Sequence, residues 1–371
     1  MELPIRDVAT ARGLKELIDG IATSERVGLD TEFHGEETYI PALMLVQVAT
    51  EDAVWLVDPL AGMDLVSLAR ALARPGLVVI GHALRQDLAI FALRWGVELS
   101  TVFDTQVGAA FAGWGRQMGL SPLLERAFGV QLDKGYQRAD WGRRPLPEGQ
   151  RRYAADDVRW LLPLHGLLSD ALGERVRWVL DEGRSLAQEA FVERDPERAW
   201  LRVRGSRKLT PRECTILKEV SAERERLASE LDRTPHFLLP NDCLLELAAR
   251  APTSPRGLAT PRLRHRVIAD DPHRWLDAVR RGLEAPEETG PRKVAAPEPV
   301  AALLAVVRDV ADELGIDPTL LVHRKQAEAA VRRGDDAEGV VAALGLDGWR
   351  RQVLTERARE ALRALPPWGS P

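Results

Sequence analysis

The sequence predicts an α/β domain with a mixed sheet flanked by helices, followed by two small all-α domains, and three observations carry that prediction. Between residues 27 and 82, short apolar runs of strand type (VGLDTEF, ALMLVQVAT, AVWLVDP, LVVIGH) are separated by brief connections. Two stretches of helical spacing, MDLVSLARALARPG and LRQDLAIFALRWG, alternate with the later runs. Past about residue 165 the strand-like runs end, and apolar residues recur every three or four positions.

Each element has its own justification. ALMLVQVAT and AVWLVDP are divided only by the turn-like TED, which predicts consecutive antiparallel strands. The first helix is signalled by Leu65, Leu68 and Leu72 and stops at Pro75 and Gly76; the second ends on Gly96. Helical periodicity then runs through PRECTILKEVSAERERLASELD, PNDCLLELAARAP and HRWLDAVRRGLEAP. Proline and charge crowd EAPEETGPRKVAAPEPV, a linker composition, before AALLAVVRDVADELG, RKQAEAAVRRG and WRRQVLTERAREALRAL. The expected division is residues 1–205, 206–286, a linker over 287–299, and 300–371.

Composition narrows the function classes. The 371 residues carry 51 Lys and Arg against 56 Asp and Glu, a net charge of -5, so a nucleic-acid partner would have to be held by local patches. Two cysteines without metal-ligand spacing suit a reducing, cytoplasmic setting. The N-terminus lacks a signal core, and no run reaches the roughly 20 apolar residues that cross a bilayer. Neither secretion nor membrane insertion is expected. Nothing requires a second subunit, so the expectation is a monomer.

The strand VGLDTEF ends in two acids, Asp30 and Glu32, one residue apart and therefore on one face. Taken alone, this also fits a strand end with both acids in water. Asp87 stands in the first turn of the helix after LVVIGH, near the C-terminal end of a strand, where open α/β sheets place ligands. In isolation such a residue more often only stabilises the helix dipole. Asp157 lies in RRYAADDVRWLLPL four residues after Tyr153, on the same helical face, a spacing that an ordinary surface pair also has. Together, four carboxylates can hold two divalent ions about 3.5 to 4 Å apart, and oxygen ligands suit Mg²⁺ or Mn²⁺. Such a pair activates water and stabilises a leaving oxygen, which points to phosphodiester hydrolysis. No convincing triad or glycine-rich phosphate loop competes.

DTEF with TYIPALMLVQVAT, GHALRQDLAIF, FDTQVGAAFAG, DKGYQRADW and YAADDVRWLLPL resemble the successive motifs of the ribonuclease D family of 3′→5′ exonucleases, the DEDDy group. The resemblance extends over essentially the whole chain, because that family carries HRDC domains after its nuclease. It implies a ribonuclease H-like exonuclease domain, with Asp30, Glu32, Asp87 and Asp157 as metal ligands and Asp30 bridging both ions. Tyr153 would position the attacking water; with an ordinary phenol pKa near 10 it is too weak a base at neutral pH to remove the proton. The spacing of the motif selects Asp157 over its neighbour Asp156. The chain departs from the family at Gly35, where a basic residue is expected, and at Ala222 and Glu223, where an aromatic usually precedes the arginine.

The implied partner is RNA with a free 3′ end, such as a tRNA precursor, released as nucleoside 5′-monophosphates. Single-stranded DNA is the alternative substrate, and a non-catalytic nucleic-acid-binding scaffold the alternative class. Phosphate contacts are expected from Arg138, Arg143 and Arg144 and from Arg202, Arg204, Arg207 and Lys208; a solvated loop explains either cluster equally well. Phe33, His34 and Trp141 are candidates for stacking on terminal bases. The region past residue 300 resembles a second, diverged HRDC domain by periodicity and position.

Overall fold

The computed structural model describes residues 3–35, 37–133, 135–137, 139–191, 195–206, 209–287 and 296–366. Its sheet contains β1 (Ile5–Val8), β2 (Arg26–His34), β3 (Ala42–Ala49), β4 (Val54–Val57), β5 (Val78–Gly81) and β6 (Val102–Asp104), ordered β1-β4-β3-β2-β5-β6. The sheet is mixed: β1 runs parallel to β4, β3 antiparallel to β4, and β5 parallel to both β2 and β6. The antiparallel pair around TED is as expected. Two strands, β1 and β6, were not expected from the sequence. Both are short and lie at the sheet edges, with too few residues to display an alternating pattern.

The helices of this region are α1 (Ala11–Thr23), α2 (Val66–Leu72), α3 (Arg85–Trp95), α4 (Thr105–Phe111), α5 (Leu120–Phe128), α6 (Glu148–Arg159), α7 (Leu161–Leu172) and α8 (Val176–Phe191). Leu68 and Leu72 of α2 are buried as their spacing requires, and α3 ends where Gly96 adopts a left-handed φ of 62°.

Packing groups the chain differently from its linear order. One compact unit contains the residues up to Glu32, Leu43–Ala190 and the helices from Pro297 onward; the other contains Phe33–Ala42 and the segment from Phe191 to the end of the middle helical region.

In the first unit, α14 (Pro297–Leu314), α16 (Arg324–Arg333), α17 (Ala337–Leu344) and α18 (Gly348–Arg363) share a continuous apolar core with the sheet-bearing region. The join centres on Trp349, 1% exposed, which stacks on Trp178 at 5.0 Å and meets the edge of Phe111 at 5.0 Å. Its indole Nε1 donates to Glu182 Oε1 at 2.7 Å, and Arg350 pairs with the same carboxylate.

The second unit is built on α9 (Pro211–Glu230), which starts from a Thr210 and Glu213 capping box, and on α13 (Pro272–Glu284) packed along it around Trp275. Ala222 is buried on α9, and Arg224 two residues later donates to Leu239 O and Asn241 Oδ1, both at 2.9 Å. The segment after β2 belongs to this unit. Asp232 Oδ1 accepts from the backbone N–H groups of Tyr39 and Ile40, and Thr234 N donates to Glu37 O.

Candidate active site

Why the acids come together is a matter of close packing at Gly28. A Cβ there would lie 3.1 Å from Ala49 Cβ, 3.2 Å from Val158 O and 3.3 Å from Leu161 Cβ, so a side chain would press on α6 and its absence lets α6 cross β2 this closely. The crossing places Asp157, one residue before Val158, over the end of β2 where Asp30 and Glu32 project. Carboxylate oxygens of Asp30, Glu32 and Asp157 lie within 4.8 Å of one another.

Asp87 arrives by another route. The β5–α3 turn takes Ala83 through a left-handed φ of 57°, a strained conformation for a residue with a side chain. Asp104 at the end of β6 offsets that strain, since its carboxylate accepts from the N–H groups of Ala83 and Leu84 at 3.0 Å each and from Gln106 N at 2.8 Å. The turn sets Asp87 in the first turn of α3, buried, where Thr31 Oγ1 donates to its Oδ1 at 2.5 Å. Asp87 stands beside the trio and is close enough to raise the pKa values of Asp30 and Glu32.

The electrostatics are those of crowded anions. Burial first, then repulsion from Asp87, Asp157 and Glu32, pushes Asp30 well above the ordinary aspartate range. Glu32 is pushed up to about 8 by burial and by Asp157 and Asp87. Asp157 rises to about 7 through burial, against a hydrogen bond from Tyr153 that favours its anion. Asp87 rises to about 6 through burial, opposed mainly by Thr31. Tyr153, half-buried beside these anions, is raised above its usual value, which keeps the phenol protonated at neutral pH. Its ring is flanked by Tyr136 and Trp141, with centroids at 6.0 and 5.9 Å.

Asp156, the neighbour that the motif spacing passed over, pairs instead with Arg159 at 3.0 Å. Among the remaining sequence candidates, Trp141 and Arg144 are corrected. Trp141 is 2% exposed and packs in the core, so it is not available to a base. Arg144 is spent on structure: it makes two 2.7 Å bonds to the Asp58 carboxylate and donates to Met44 O and Trp141 O. These bonds hold Asp58 below its ordinary pKa against the opposing effect of burial. Arg202 is exposed and also pairs with Glu225, itself 1% exposed, at 3.3 Å. Arg143, Arg204 and His34 are exposed and Phe33 is half-buried. Arg138, Arg207 and Lys208 lie outside the described residues.

At Gly35, the departure noted above, a Cβ would lie 3.1 Å from Pro41 Cβ, leaving little room for a longer side chain. Sequence reasoning missed Thr31 and Asp104. The available signal was a hydroxyl between two acids and an aspartate at a strand-to-helix junction, each common in purely structural settings.

The sequence pattern of the 3'-5' exonuclease family matches residues 5–173, and that of the HRDC domain matches residues 214–279. Ribonuclease D of Pseudomonas paraeruginosa is 33% identical over 350 residues, spanning 92% of this chain and 93% of that protein. Ribonuclease D of Gluconacetobacter diazotrophicus is 34% identical over 363 residues, spanning 95% and 91%. Among solved structures, RNase D of Escherichia coli superposes with a TM-score of 0.84 at 28% identity, covering 99% of this chain and 100% of that one. The catalytic core of RRP6 from Trypanosoma brucei shares the fold, with a TM-score of 0.55 and 23% identity over 76% of this chain and 80% of that one.

Proposed function

Because the chain belongs to the ribonuclease D family and is a 3′→5′ exoribonuclease, we propose that Asp30, Glu32, Asp87 and Asp157 hold two divalent cations and that Tyr153 aligns the attacking water. The observation that carries this reading is the convergence of three carboxylates within 4.8 Å with a fourth buried beside them. The residues fit such ions. All four donors are hard carboxylate oxygens, and burial and mutual repulsion raise the pKa of the site's acids, a cost that positive charge between them removes.

When bound, Mg²⁺ or Mn²⁺ supplies activation of the attacking water and stabilisation of the leaving 3′ oxygen. The chain's own contribution is geometry. Asp30, on β2, would be the ligand shared by the ions; Tyr153, protonated and bonded to Asp157, offers its hydroxyl to orient the water. The products are nucleoside 5′-monophosphates. The substrates we propose are tRNA precursors and other structured RNAs, supported by the relative from E. coli, described as an exoribonuclease involved in structured RNA processing. Arg143, Arg202 and Arg204 are the exposed, described cations of the two expected clusters that could meet phosphates. Cys214 and Cys243 are both buried and neither forms a disulfide, which suits a cytoplasmic enzyme.

No helix among the described residues is long and apolar enough to cross a membrane. The test is digestion of 5′-labelled RNA and DNA of one sequence with Mg²⁺, with Mn²⁺ and with chelator. Stepwise shortening of RNA from its 3′ end that stops in chelator supports the reading; chelator-resistant cleavage overturns it.

A further inference from the structure

Gln47 lies on β3 and is fully buried at 0% exposure, yet neither its Oε1 nor its Nε2 has a hydrogen-bond partner among the described residues. An amide left so in a protein interior is destabilising, so a buried orphan amide calls for an explanation in terms of what it serves. Its position supplies one. β2 and β3 are neighbours in the sheet. Arg26 on β2 bonds Glu51 just beyond β3, and a Cβ on Gly28 would touch Ala49. Contacts that climb one strand while descending the other define an antiparallel ladder. Two residues further along β2 and two back along β3, the same register brings Gln47 opposite Asp30. Alternation puts both side chains on the face that carries α6, where Ala154 and Ala155 are fully buried.

We propose that Gln47 is a positioning residue for the metal site: its amide N–H holds the Asp30 carboxylate, through one buried water, in the orientation in which it would serve as a metal ligand. The inference rests on the metal reading given above and names a residue outside the four acids. A neutral amide suits the position. A carboxylate there would add a fifth anion beside four that already repel one another, whereas an amide N–H offers a hydrogen bond without adding charge. Outer partners of this kind fix the orientation of a ligand before the metal arrives, and their loss typically costs about 10- to 100-fold in metal affinity.

The test uses the full chain and Mn²⁺ alone, titrated calorimetrically at about pH 8, alongside thermal unfolding in chelator. Gln47→Met keeps length and removes both polar atoms. The expected result is Mn²⁺ binding weakened about 10- to 100-fold, with a metal-free melting temperature at or above that of the unaltered protein. Unaltered Mn²⁺ affinity in the variant overturns the proposal, as does a lower melting temperature with unchanged affinity, the signature of a packing role. Should Gln47→Met fail to fold, Gln47→Asn, which withdraws the amide by one methylene, is held to the same criterion. The unaltered protein and Asp30→Asn separate the two layers of the argument. Absence of Mn²⁺ binding by the unaltered protein overturns the metal reading and this inference with it, whereas binding lost in Asp30→Asn and intact in Gln47→Met overturns the role of Gln47 alone.

Discussion

Thr31 Oγ1 donates to Asp87 Oδ1 at 2.5 Å, and this bond is the largest influence opposing the upward push of burial on the Asp87 carboxyl. Thr31→Val keeps the shape of the side chain and removes the donor. Asp87 should then hold its proton to higher pH, and the Mg²⁺ concentration for half-maximal cleavage should rise by about tenfold. An unchanged Mg²⁺ activation curve would show that Asp87 stands outside the ion site.

Asp30→Asn should abolish cleavage and leave the fold intact. The amide preserves shape but withdraws the charge that two cations share. In chelator the variant should melt at the same temperature as the unaltered protein or higher, because a buried anion repelled by Asp87, Asp157 and Glu32 is gone. Near-normal turnover at saturating Mg²⁺ would sink the two-ion assignment.

Tyr153→Phe should be milder, with a loss in cleavage rate on the order of tenfold to a thousandfold and little change in RNA binding. The ring still packs between Tyr136 and Trp141, and only the hydroxyl is lost. Loss of metal affinity with a normal rate per loaded enzyme would instead make Tyr153 a ligand-holding residue.

The metal-free protein should lose stability as pH rises. Glu32, Asp157 and Asp87 have folded-state pKa values of about 8, 7 and 6, raised from ordinary values of 4.5, 3.8 and 3.8. Folding therefore favours their protonated forms. That contribution is complete below about pH 4 and disappears as pH climbs through about 6, 7 and 8. In chelator, Glu32→Gln should gain on the unaltered protein between about pH 5 and about pH 8.5, and Mg²⁺ at the upper pH should restore the unaltered protein selectively. A difference in melting temperature that is constant across this range would mean that the acids do not titrate as a group.

Trp349→Ala should destabilise the exonuclease unit by about 3–5 kcal/mol, the range for emptying a buried aromatic site. The residue is 1% exposed, stacks on Trp178 and bonds Glu182. Denaturant unfolding monitored by the fluorescence of the remaining tryptophans measures the effect. A change within about 0.5 kcal/mol, the range typical of surface substitutions, would contradict the packing.

What the sequence disclosed and what it withheld follow from the range of the interactions involved. Asp30 and Glu32 were legible because a strand pattern ran into charge, and Tyr153 with Asp157 because one helical turn sets their spacing. The edge strands Ile5–Val8 and Val102–Asp104 were not, since four and three residues are too short to show a period. Arg144 looked like a phosphate contact because its partner Asp58 lies far away in the chain and nothing local announces the pair. The union of Trp349 with Phe111 and Trp178 is hidden for the same reason: periodicity marks a buried face without naming what buries it.

That union changes what a shortened gene product means. The helices from Pro297 onward complete the catalytic unit, although the chain reaches them only after the HRDC segment has been made. A nonsense codon ahead of these helices therefore does not trim an accessory tail; it opens the interior around Trp178 and Phe111. A variant lacking only the HRDC segment has to be made by internal excision and religation of the frame, not by an early stop.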